Sequence, residues 1–157
     1  MKIPYGKQNI NQADIDRVCK TLRSDWLTQG PSVEEFERTA TEFCGSKYAF
    51  ATNSATSALH IACMALDLGI GDWLWTSPNT FVASANCALY CGAKVDFVDI
   101  DPLTFNICPK RLEEKLEIAK KIDNLPKVLI PVHFAGASCD MNKIHKLALK
   151  YGFKIVE

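Results

Sequence analysis

Apolar residues change their spacing along this chain at Lys47. Downstream of it, short runs of strand-forming residues alternate with windows in which apolar positions recur every three or four residues. Tyr48–Ala51, Trp73–Thr76, Val95–Val98, Val128–Val132 and Phe153–Val156 read as strands. The windows Ser54–Leu68, Thr80–Cys91, Pro109–Lys121 and Met141–Tyr151 between them read as helices. This succession predicts an α/β fold with a mainly parallel sheet flanked by helices, in which ligands gather at the carboxyl ends of the strands.

Upstream, the helical period appears twice, over Gln12–Ser24 and Val33–Cys44. Ser32 and Glu35 have capping-box spacing at the start of the second window. The segment Trp26-Leu27-Thr28-Gln29-Gly30-Pro31 between them reads equally as an ordinary loop or as part of a site. The chain therefore divides into a helical segment, residues 1–46, and an α/β domain, residues 47–157. The run Phe153–Val156 has no helix after it to cover the sheet, so the domain is expected to be incomplete.

Composition narrows the classes. Eighteen basic and eighteen acidic residues cancel, and no Lys/Arg cluster marks one face, which argues against a nucleic-acid partner. No apolar run approaches the ~20 residues that span a bilayer, and no signal-peptide pattern opens the chain, so a cytoplasmic protein without a membrane partner is expected. Seven cysteines in a chain of this size and apolarity read as free thiols. Cys87 and Cys91 lie four apart on a predicted helix, but no partner pair has zinc-site spacing, so no metal is expected.

The densest candidate chemistry lies in Thr52-Asn53-Ser54-Ala55-Thr56-Ser57-Ala58-Leu59-His60, a strand-to-helix corner built of small and hydroxyl residues. Free N–H groups and the dipole of a helix N-terminus bind anions, and Ser54, Thr56 and Ser57 can add hydroxyl donors. Asn53 or Ser54 acting only as a cap explains the same residues. Neither G-x-G-x-x-G nor G-x-x-x-x-G-K-[ST] is present, which leaves a cup for a smaller phosphorylated ligand. Phe81 falls in the first turn of the window after Trp73–Thr76, where it either stacks on a planar ligand or fills the core. His133 ends a strand and reads as structural or as a neighbour of the site.

Five segments in order resemble the DegT/DnrJ/EryC1/StrS family of pyridoxal-phosphate sugar aminotransferases. They are Trp26–Pro31 with Phe36-Glu37; Asn53–Leu59; Gly71-Asp72 with Thr80–Ala83; Val98–Asp101 with Asn106; and Pro131-Val132-His133 with Gly136. Within that family, "NSATSALHIA" and "GDWLWTSPNTFVASANCALYCGAKVDFVDIDP" are most similar to the branch that serves pseudaminic acid synthesis. The resemblance implies the N-terminal part of the large domain of the aspartate-aminotransferase fold. It also implies a homodimer that moves an amino group from glutamate to the 4-keto carbon of a UDP-linked 6-deoxy sugar.

Carried over by residue, the resemblance implies that Ser54, Ala55 and Thr56 hold the cofactor phosphate and that Phe81 stacks on its ring. Tyr5, Asp25, Trp26, Leu27 and Thr28 would meet the sugar nucleotide, with His133 beside the site. The family's ring-pairing aspartate and Schiff-base lysine fall beyond Glu157, so this chain by itself is expected to be inactive and to behave poorly as an isolated monomer. Lys127, Lys146, Lys150 and Lys154 occupy polar positions unlike the desolvated setting of a Schiff-base lysine. A non-catalytic phosphate-binding module and a cysteine-based redox or metal protein are the alternative readings.

Overall fold

The computed structural model describes residues 6–157. It comprises two compact units, one ending at Ala51 and the other spanning Thr52–Glu157.

The first unit is a helix pair. Helix α1 spans Gln12–Leu22 and α2 spans Pro31–Cys44. Asn11 caps α1 by accepting from the N–H groups of Ala13 and Asp14, while the Asp14 carboxylate accepts from the Asn11 N–H, a capping box of the reciprocal kind. The box expected at Ser32 and Glu35 does not form. Gly30 is the N-cap and Pro31 occupies the first helical position, which suits a residue with no N–H to satisfy. Glu35 instead pairs with Arg17 across the two helices. Neither helix buries a side chain fully within this unit, and Val18, Leu22 and Phe36 stay more than half exposed.

Tyr48–Ala51 is not a strand. No strand among the described residues lies alongside it, and an extended segment without a neighbour has no ladder to form. Tyr48 and Phe50 remain 67% and 81% exposed, and the Ala51 N–H donates to the Glu37 carboxylate at 2.8 Å.

The second unit is the expected α/β assembly. In chain order it runs α3 (Ala55–Ala65), β1 (Trp73–Thr76), α4 (Ala83–Tyr90), β2 (Lys94–Phe97), α5 (Pro109–Lys121), β3 (Val128–Ile130), α6 (Met141–Tyr151) and β4 (Lys154–Ile155). The strands are all parallel, in the order β2-β1-β3-β4. Strand β3 stops before Pro131, which has no N–H for the ladder. Helix α3 ends short of Leu68 because Asp67 turns left-handed at φ 53° and the Leu68 N–H returns to the Cys63 carbonyl at 3.0 Å.

The two-residue period of the strands sorts the core onto both faces of the sheet. Trp75 and Leu129 point to one side, where they meet Leu112 and Leu116 of α5 and Ile144 and Leu147 of α6. Leu74, Val128 and Ile130 point to the other, against Cys63 of α3 and Cys87 and Ala88 of α4. Each fully buried Leu, Ile or Val contributes about 1.5–3 kcal/mol. The ion pairs all keep side chains between 27% and 68% exposed, where a pair is worth about 0–1 kcal/mol. Apolar layering therefore holds this unit together. No helix among the described residues is long and apolar enough to cross a membrane.

One polar contact pins the amino edge of the sheet. Lys127 donates to the Asp72 carboxylate at 2.9 Å and to the Asp67 carbonyl, and Asp72 also accepts from the Gly69 N–H at 3.0 Å. The Lys127 hydrogen bond foremost holds Asp72 below the ordinary carboxylate range, against some desolvation and with help from Gly69. A depressed folded value stabilises the fold above the unfolded value near ~3.9, and that contribution is lost as pH falls through the lower folded value. Urea midpoints measured from neutral pH downward should therefore fall more steeply below about pH 4 in the native chain than in Asp72→Asn. Parallel profiles would show that this contact adds nothing.

Candidate functional site

The carboxyl edge of the parallel sheet carries the loops that leave β1, β2, β3 and β4. The corner that opens α3 supplies a further helix N-terminus. Ser54 is its N-cap, with extended backbone at φ −162° and ψ 155°. The Ser54 hydroxyl oxygen accepts from the Ser57 N–H at 3.2 Å, and the Ser57 hydroxyl donates to the Asn53 side-chain oxygen at 2.8 Å. The Ala58 N–H donates to the Ser54 carbonyl at 3.1 Å.

That set satisfies the third and fourth N–H groups of the helix and leaves the first two, on Ala55 and Thr56, without a partner among the described residues. Ala55 is exposed and Thr56 half-buried, so both donors open toward solvent beside the positive end of the dipole. Capping and anion binding are thus compatible here, since Ser54 serves the inner donor and the outer two stay free. This is the arrangement that accommodates a phosphate monoester.

Phe81 lies in the loop after β1, two residues before α4, and not in that helix's first turn. Helix α4 begins later because Val82 is its N-cap and the Thr80 and Ser84 hydroxyls bond to each other at 2.8 Å ahead of the first full turn. The ring is 75% exposed, which excludes the core reading and leaves a free aromatic face on the loop that leaves β1. In the same loop, the Asn79 amide donates to the Phe105 carbonyl at 3.4 Å, tying it to the segment that follows β2.

His133 follows β3 and bridges two strand exits. Its Nδ1 accepts from the Cys139 N–H at 3.1 Å, and its Nε2 lies 2.9 Å from the Glu157 carboxylate beyond β4. The acceptor role of Nδ1 puts the proton of the neutral ring on Nε2, which then donates to Glu157. Asn106 holds the same loop from the β2 side. Its side chain is 4% exposed, donates to the carbonyls of Ala137 and Ser138 at 3.0 and 3.2 Å, and accepts from the Phe134 N–H at 2.8 Å. Asn106 belongs to the fourth resembling segment, which gives it no stated role, and Glu157 is a contributor that the sequence pattern leaves unassigned.

The other expected residues fall each within its own unit. Asp25, Trp26, Leu27 and Thr28 form the exposed bend between α1 and α2 in the first unit. Trp26 packs so tightly on Gly30 that a Cβ there would sit 2.5 Å from the Trp26 Cβ, which is why the bend needs glycine at that position. Tyr5 lies outside the described residues. Lys127 is committed to the amino edge of the sheet, Lys154 opens β4, and Lys146 and Lys150 lie on α6. No lysine occurs in residues 52–56, 77–82, 98–108, 131–140 or 156–157, the segments at the carboxyl edge and the α3 corner.

All seven cysteines are free. Cys63 and Cys87 are buried side by side between α3 and α4, where the hydrogen bond from Cys63 to Cys87 and burial push the Cys63 thiol up, away from reactivity. No group of three or more His, Cys, Asp or Glu side chains among the described residues is placed to hold a metal ion.

A family model described as the DegT/DnrJ/EryC1/StrS aminotransferase family matches residues 8–157. The chain is 41% identical over 155 residues to the spore coat polysaccharide biosynthesis protein SpsC of Bacillus subtilis, covering 99% of this chain and 38% of that protein. It is 43% identical over 156 residues to the UDP-4-amino-4,6-dideoxy-N-acetyl-beta-L-altrosamine transaminase of Campylobacter jejuni, covering 99% of this chain and 40% of that one. Among solved structures, the PLP-form of the sugar aminotransferase Spr1654 from Streptococcus pneumoniae superposes with a TM-score of 0.85 at 31% identity. That match covers 99% of this chain and 38% of Spr1654. The chain thus spans about two fifths of the length of the curated relatives it matches.

Proposed function

The chain belongs to the DegT/DnrJ/EryC1/StrS aminotransferase family, and we propose that it supplies the phosphate-binding and ring-facing part of a pyridoxal-phosphate site in a sugar aminotransferase. The observation that carries this reading is the pair of free N–H groups on Ala55 and Thr56 behind the Ser54 cap. Relatives of known cofactor state support it, since Spr1654 is described in both PLP and PMP forms. When bound, pyridoxal phosphate supplies the electron sink for moving an amino group.

In this proposal the Ala55 and Thr56 N–H groups and the Ser54 and Thr56 hydroxyls orient the phosphate, and the exposed Phe81 ring covers one face of the pyridine. His133 stands beside the site and steadies it through Glu157. Tyr5 and the bend from Asp25 to Thr28 meet the sugar nucleotide. The proposed organisation is a helical segment over residues 1–46 and an incomplete cofactor-binding domain over residues 47–157. The proposed reaction of the whole protein is transfer of an amino group from glutamate to a UDP-linked 4-keto-6-deoxy sugar, in the cytoplasm, by a homodimer. The name of the Campylobacter relative favours that substrate class.

Binding of pyridoxal phosphate to the 157-residue chain tests the assignment. Titration should saturate, and borohydride reduction should leave no cofactor adduct on a defined lysine, because no lysine stands at the carboxyl edge or the α3 corner. Glutamate-dependent amination of the keto sugar by this chain alone should be absent. A titration that never saturates, or a stoichiometric lysine adduct, would overturn the reading.

A further inference from the structure

We propose that the groove between α5 and α6 is a separate binding site for a small molecule bearing a diphosphate. This does not rest on the aminotransferase reading, and the groove shares no residue with the Ser54 corner or the Phe81 loop. It encloses about 520 Å³, within the ~300–1,000 Å³ range of small-molecule sites. Four lysines line it. Lys143, Lys146 and Lys150 form one stripe of α6, at the i, i+3 and i+7 positions, and Lys110 faces them from the first turn of α5.

The carboxylates nearby are already engaged. Glu113 accepts from Lys150 at 3.2 Å, and Asp140 caps α6 and pairs with Lys143 at 2.7 Å. Asp101 accepts from the Leu103 and Thr104 N–H groups of its own turn at 2.8 and 3.1 Å. Lys110 and Lys146 have no carboxylate in salt-bridge range among the described residues. Four lysines against Asp101, Glu113 and Asp140 leave the groove and its rim with a charge of +1, in a chain whose total is zero.

Two further features suit a phosphorylated guest. Cys108, the N-cap of α5, makes no side-chain cap bond and Pro109 has no N–H, so the N-terminus of this 13-residue helix borders the groove without a side-chain cap. Buried Leu147 and half-buried Pro109 give an apolar floor on which a base or sugar ring can rest while the lysines hold the charge. Lysines lining one groove act together on a multiply charged anion, where one exposed lysine would be screened away.

The test is a titration of the full 157-residue chain with UDP, followed by amide chemical shifts, with inorganic pyrophosphate as competitor. Saturable shifts at residues 108–113 and 143–150 are expected, reversed by pyrophosphate, whether or not UDP also shifts the Asp25–Thr28 bend. Lys110→Glu/Lys146→Glu should weaken binding by about tenfold for each lysine reversed. Both side chains are exposed, so the fold should survive. Lys120→Glu/Lys121→Glu, at the far end of α5, removes the same charge and should leave binding unchanged. Absence of saturation overturns the proposal. So does equal loss in both double variants, or equal displacement by sulfate, which would mark an adventitious ion only.

Discussion

Ala55→Asp is expected to abolish pyridoxal phosphate binding and to leave the fold at least as stable as before. The two effects separate because a helix N-terminus favours any negative charge, and a carboxylate built into the first turn takes the place of a bound one. Ala55 is exposed at the first helical position, so the longer side chain meets no packed neighbour. It adds a negative charge a few ångströms from where the phosphate dianion would sit. In water a pair of unit charges 4 Å apart costs about 1 kcal/mol, so a dianion loses roughly thirtyfold in affinity before the blocked N–H groups are counted. Ser54→Ala should lose stability and, with one of the two phosphate-orienting hydroxyls gone, only a smaller part of the affinity that Ala55→Asp loses. It removes the acceptor for the Ser57 N–H, costs about 1 kcal/mol of stability, and leaves the Ala55 and Thr56 donors in place. Denaturation curves and cofactor titrations of the two variants decide the matter. If both lose stability and binding in step, the corner is a cap and nothing more.

The corner also shows where a sequence stops being legible. The small residues and hydroxyls of Asn53–Ser57 specify a cap, and from composition a cap and a phosphate cup look alike. Only the partner of each N–H separates them, and partners are a matter of geometry. The two-residue alternation of Leu74 with Trp75, and of Val128 and Ile130 with Leu129, made the sheet and its two cores readable, because burial on both faces leaves continuous apolar runs. The same pattern misled at Tyr48–Ala51, since residues suited to a strand form one only where a neighbour completes the ladder. Phe81 lies two residues ahead of α4 and not in its first turn because Thr80 and Ser84 bond to each other ahead of the helix, a local choice that apolar periodicity does not register. The bridge from His133 to Glu157 joins positions 24 apart in the chain, and no spacing rule reaches that far.

Asn106→Ala should destabilise the second unit and loosen the carboxyl edge at once. Asn106 is 4% exposed and makes three hydrogen bonds to one loop, to the Ala137 and Ser138 carbonyls and from the Phe134 N–H. That loop holds strain which the clamp offsets. Ala135 sits left-handed at φ 51°, immediately before Gly136 at φ 82°, and a non-glycine residue there costs about 1–2 kcal/mol. With the amide gone, a buried group left without its partner costs about 1–3 kcal/mol, but Ala137 and Ser138 are exposed enough for water to replace part of the loss. The net expectation is about 2–4 kcal/mol, a large share of the ~5–15 kcal/mol that holds a typical domain together. Leu129→Ala is a useful comparison, because removing a fully buried leucine costs a similar ~2–5 kcal/mol by opening a cavity. The two variants differ in where the loss appears. Asn106→Ala frees the loop that presents His133, so the amides of Phe134 and Cys139 should exchange far faster than the rest of the sheet, while Leu129→Ala should raise exchange across the unit together. Equal protection of the Phe134 amide in Asn106→Ala and the native chain would show that the loop keeps its shape without the clamp, and His133 would then owe its position to Glu157 and Cys139 alone.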